Sequence, residues 1–127
     1  MSFIADIFSS LGKLKYSKEN QKAAVDSMDS LKKRMDLLNQ KAFNLAENYP
    51  EQRVKIGECL KSLSAIEPSA STRAGKFEQQ ISVAITKVST ACDKIFTSKD
   101  SKVLDSEIEI LIRNIREREH ADEVQEE

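Results

Sequence analysis

The sequence predicts an all-α fold: an up-and-down helical bundle of two long and two short helices plus a short N-terminal amphipathic helix. Three observations carry that expectation. Ala24, Met28, Leu31, Met35, Leu38, Ala42 and Leu45 recur at alternating spacings of four and three, an unbroken heptad seam. A second run, Ala70, Ala74, Phe77, Ile81, Ala84, Val88, Ala91 and Ile95, repeats the pattern. The 127 residues also contain only 3 Gly and 2 Pro against 32% charged residues, which suits long solvated helices and leaves a turn-rich β fold without breakers. At this length one domain is expected, spanning 1–119, with 120–127 as a polar, frayed tail.

The first expected element is a leader helix over about 2–15, with Phe3, Ile4, Ile7, Phe8 and Leu11 on one side and Asp6, Ser9 and Lys13 on the other. Ser17 then serves as N-cap for a long helix over 18–48, with Glu19 at the positive end of its dipole. Tyr49-Pro50 ends that helix, because proline disfavours helical geometry in the residue before it and suits the first turn of the next. A short helix over 50–66 follows, in which Gly57 permits close approach of a neighbour.

The linker Glu67 to Thr72 offers several caps for a second long helix over 70–98. Asp100 or Ser101 caps a final helix over 101–118, where Leu104, Ile108, Leu111 and Ile115 form the seam. Val103, Ile110 and Ile112 widen its apolar surface beyond that stripe and form the candidate interaction surface.

Half-length helices cannot cover long ones singly. A tight turn at Tyr49-Pro50 lets the short helix cover the seam only from Leu45 to Met35. The leader, folding back at Tyr16-Ser17, is expected beside the rest, Ala24 to Leu31. Leu37, Phe43, Val83, Ile85, Cys92 and Phe96, apolar but off the seams, argue that the long helices meet more than one neighbour. The core seam is thus Ala24, Met28, Leu31, Met35, Leu38, Ala42, Leu45, Phe77, Ile81, Ala84, Val88, Ala91 and Ile95.

Catalytic chemistry finds little footing. His120 is the single histidine, no phosphate-binding glycine motif occurs, and the seams carry no acidic residue. Glu117-Arg118-Glu119-His120 spells one E-x-x-H, whereas a di-iron bundle needs two plus further carboxylates. No catalytic residue, metal site or cofactor is expected.

Net charge is −1 and Trp is absent, which disfavours nucleic acid as a partner. Cys59 and Cys92 fit no metal spacing and are expected as free, half-buried thiols in a cytoplasmic protein. The function expected is a non-enzymatic interaction or scaffolding module of adapter, chaperone or inhibitor type, binding a protein partner and self-associating. The alternative is a peripheral membrane protein whose leader face inserts into lipid while Lys13, Lys15, Lys18 and Lys22 meet anionic headgroups.

Overall fold

The computed structural model describes residues 2–121, and their side chains from residue 21 onward. These residues form four α-helices and no strand: α1 (Ser2–Ala42), α2 (Pro50–Ser64), α3 (Thr72–Ser98) and α4 (Lys102–Glu119).

The first difference from expectation is that α1 is one helix of 41 residues, with no break at Tyr16-Ser17. The reason is local. Serine costs only a few tenths of a kcal/mol inside a helix, and neither Gly nor Pro lies between Gly12 and Pro50. A serine caps a helix only where the backbone has already left helical geometry, and nothing here forces it out.

At its other end α1 stops at Ala42 rather than Asn48, tightening into a 3-10 turn over Phe43–Leu45. The Tyr49 amide then donates to the Leu45 carbonyl at 2.7 Å. Pro50 drives Tyr49 to φ −135° and occupies the first turn of α2, as the Tyr49-Pro50 pair predicts.

The remaining ends follow side-chain chemistry. Ser71 caps α3, its hydroxyl accepting from the Ala74 amide at 3.0 Å, so Ala70 stays outside the helix and exposed. Lys99 ends α3 in the left-handed region at φ 58°, returning its amide to the Ile95 carbonyl. Asp100 Oδ1 accepts from the Lys102 amide at 3.0 Å where α4 begins.

Side-chain contacts fix the directions. Ser27, Arg34 and Lys41 of α1 meet Glu78, Ser82 and Ser89 of α3, so the two long helices run parallel. Gln52 and Lys55 of α2 meet Asp105 and Glu109 of α4, so these also run parallel. α1 packs on α2 and α3, and α4 packs on α3 and α2. The linker between α2 and α3 therefore crosses the end of the bundle diagonally.

Among the side chains described, every residue of the first seam is buried, and so is the second from Ala74 onward. Met28 and Met35 have no exposed surface and fill the core. The off-seam residues divide. Ile85 and Cys92 are buried, giving α3 its second neighbour, but Leu37, Phe43, Val83 and Phe96 stand exposed. Those four therefore contribute nothing to the argument for multiple neighbours.

The Ala24 to Leu31 half is not covered by a folded-back leader, since α1 runs straight on through it. It lies beside the early turns of α3, where Ser27 donates to Glu78. Ser27 is level with Glu78, so α1 continues for about five turns beyond the level at which α3 starts.

Candidate functional site

Two interfaces of α3 define what the surface can do. Along the first, α1 presents Ser27, Arg34 and Lys41 at a heptad interval, one side chain every two turns facing α3. The Ser27 hydroxyl donates to Glu78 Oε1 at 2.8 Å. The Arg34 guanidinium donates to the Ser82 carbonyl at 3.1 Å, to the Ser82 hydroxyl, and to Thr86 Oγ1 at 2.6 Å. Lys41 Nζ donates to Ser89 Oγ at 2.8 Å and pairs with Asp93 at 3.0 Å. Arg34 is thus committed to the α1–α3 interface.

At the foot of this ladder lies a buried charge pair. Arg118 Nε donates to Glu78 Oε2 at 2.8 Å, with side chains 3% and 6% exposed. Arg118 Nη2 also donates to the Glu67 carbonyl at 2.9 Å, tying the linker to α4. Glu78 thereby joins α1, α3 and α4.

The seams themselves carry no acid, as expected, but Glu78, next to the seam residue Phe77, is buried beside them. Its pairing with Arg118 also shows that the bundle extends through the end of α4. Ala121 has no exposed surface and packs with Ala74 and Phe77, so the tail begins inside the fold rather than at 120. Residues 122–127 lie outside those described.

The second interface, between α3 and α4, is a groove of about 490 Å³. Val83, Ala84 and Ile110 give it an apolar floor, and Lys76, Lys87 and Arg113 stand around it. Asn114 lines it while only 9% exposed. Among the described residues, none of these three cations forms an ion pair, and the Asn114 amide makes no hydrogen bond. On the same flank of α4, two turns before Asn114, Glu107 Oε2 is buried without a hydrogen bond.

The three residues expected to form one interaction surface are separated. Ile110 faces the α3 groove, whereas Ile112 lines the opposite flank with Glu58, Cys59 and Arg116. Both are half-buried against the core. Two residues apart on a helix is about 200° of rotation, so α4, wedged between α2 and α3, uses both. Val103 is 62% exposed and shares the Ile110 side, seven residues away. The leader face, Phe3, Ile4, Ile7, Phe8 and Leu11, falls on side chains outside those described.

Cys59 and Cys92 are free and buried, more deeply than the half-buried state expected. Burial raises the Cys59 thiol to about 12, with Glu58 and Glu109 adding to the rise. Burial raises Cys92 to about 11, opposed by Lys41 and helped by Asp93. Neither thiol is a nucleophile at neutral pH.

Gly57 is also an ordinary helix position. A Cβ there meets Asn39 Oδ1 at 3.5 Å, so no close approach demands glycine.

Among the described residues, no group of three His, Cys, Asp or Glu side chains converges as a metal site requires. No helix there is long and apolar enough to cross a membrane. Compared with known protein families, characterised proteins and solved structures, the chain matches none.

Proposed function

We propose that this chain is a non-enzymatic helical-bundle interaction module, of adapter, chaperone or inhibitor type, working through the outer surface of α3 and α4. The α3–α4 groove carries this reading. Its three cations and its amide have no partner among the described residues, while the corresponding groups between α1 and α3 are bonded to one another. Asn114 keeps its amide atoms open to solvent at the groove, where an incoming group can bond them.

Self-association belongs to the same proposal, with Val103 the most exposed apolar residue of α4. Sedimentation of the full chain and of V103D is the test: a concentration-dependent dimer weakened by V103D is expected, and a monomer at high micromolar concentration removes self-association. Crosslinking in the source cell followed by mass spectrometry addresses the partner; crosslinks concentrated on α3 and α4 are expected, and crosslinks on other faces alone overturn the surface assignment.

A second reading keeps the membrane surface as partner of the N-terminal part of α1. The observation favouring it is that this helix continues past the start of α3 instead of folding onto the bundle. Flotation with anionic liposomes, comparing the full chain with one beginning at Ser17, decides it: loss of flotation on truncation supports lipid binding, and equal flotation sinks it.

A further inference from the structure

We propose that the α3–α4 groove binds an acidic peptide segment of a partner protein, one that sets an apolar residue between carboxylates. This rests on the interaction-module reading and gives its partner a chemistry. Three observations converge on it.

The first is charge. Lys76, Lys87 and Arg113 surround the groove, and none is neutralised by an acid among the described residues. Glu117, one turn from Arg113, forms no ion pair with it. The second is extent. Lys76 and Lys87 are separated by eleven positions, or about 16 Å along a helix. A compact anion cannot span that distance, whereas about five residues of extended peptide do. Between the two lysines lie Val83 and, across the groove, Ile110, so the partner requires an apolar side chain in the middle.

The third is Asn114. The residue is 9% exposed, lines the groove, keeps its amide atoms open to solvent and has no hydrogen-bond partner among the described residues. A carboxamide offers both a donor and an acceptor, matching the two halves of a peptide bond; a bare phosphate or carboxylate would satisfy only the donor. Cations set the charge of the occupant, and the amide sets its backbone nature.

The experiment is peptide display selection against the full chain, followed by fluorescence anisotropy with the peptides selected. Enriched sequences are expected to carry Asp or Glu on both sides of Leu, Ile or Val. Their affinity is expected to fall about tenfold or more in each of R113Q, K76Q and N114L, and to weaken with salt. Thermal melts of the three variants check that the fold is retained, and R113K, which keeps the charge, is expected to restore part of the binding.

Selection of neutral or basic peptides overturns the proposal, as does binding unaffected by all three variants. Competition by inorganic phosphate or a single-stranded oligonucleotide as strong as by the peptide also overturns it, pointing to an anion site or nucleic acid instead. A chain that yields no peptide yet crosslinks to a partner on α3 and α4 loses this inference and keeps the interaction-module reading. One that does neither loses both.

Discussion

The α1–α3 seam and the α3–α4 groove share a helix and treat their polar residues in opposite ways. Across the seam, Ser27, Arg34 and Lys41 each find a partner on α3. In the groove, Asn114 and three cations find none among the described residues, and on the same flank of α4 a Glu107 oxygen is buried without one. Polar groups bonded across an interface fix register, because a slip of one residue unmakes every bond together. Polar groups left open fix no register within the chain. A heptad seam alone fits parallel and antiparallel neighbours alike; here the ladder selects the parallel one.

The strongest way to break the comparison is at Glu78, where the ladder meets the buried ion pair. Replacing Arg118 by Met strands the Glu78 carboxylate in the core and should cost about 3–5 kcal/mol in a urea titration. Removing both charges, as E78M/R118M, should recover much of that loss. If the double variant is no more stable than R118M, the pair is not acting as a unit.

Alkaline pH separates core from ladder. Both thiols titrate well above the ordinary value of 9.0 in the fold. The unfolded chain therefore releases those protons first, and stability falls from about pH 9 toward 11–12, by up to about 1.4 kcal/mol per pH unit per thiol. A C59A/C92A variant, although less stable overall, should lose less with rising pH between 9 and 11. Parallel pH curves for the two proteins would contradict this.

A smaller effect is expected in the ladder itself. R34A should cost about 1–2 kcal/mol, since it loses three hydrogen bonds at a partly exposed site. K41A, at a pair whose side chains are 35% and 64% exposed, should cost less than about 1 kcal/mol. On the groove side the sign reverses: E107M removes an unbonded buried oxygen and should stabilise by about 1 kcal/mol. Loss of stability in E107M would mean that the carboxylate is supported after all. The smallest effect belongs to G57A, a gain of about 0.5–1 kcal/mol from helix propensity.

How much of this is legible in the sequence depends on which feature is asked about. Heptad spacing identified the buried residues of α1, α3 and α4 because a 3.6-residue period leaves few choices, and Pro50 marked a helix start unmistakably. Tyr16-Ser17 misled because a cap is defined by backbone geometry, which serine permits without imposing. Leu37 and Phe43 misled because apolar character alone does not bury a side chain.

Glu78 and Arg118 were hidden for a different reason. A charge next to a seam reads as solvated unless its partner 40 positions away is known. One signal was available, the regular Ser27, Arg34, Lys41 interval on α1, which marks a polar stripe at heptad spacing beside an apolar one. Asn114 carried no signal at all, since its place in the groove depends on how α4 packs against α3.

The parallel arrangement of α1 and α3 also bears on the order of folding. Each helical hairpin, α1 with α2 and α3 with α4, closes through a short turn. The ladder instead joins residues 48 to 52 positions apart. Loop-closure entropy is met before such distant contacts give any return, so the hairpins form early and the ladder locks last. Weakening it, as in R34A, should speed unfolding and leave the folding rate nearly unchanged, so the seam that sets the register also sets how long the native state persists.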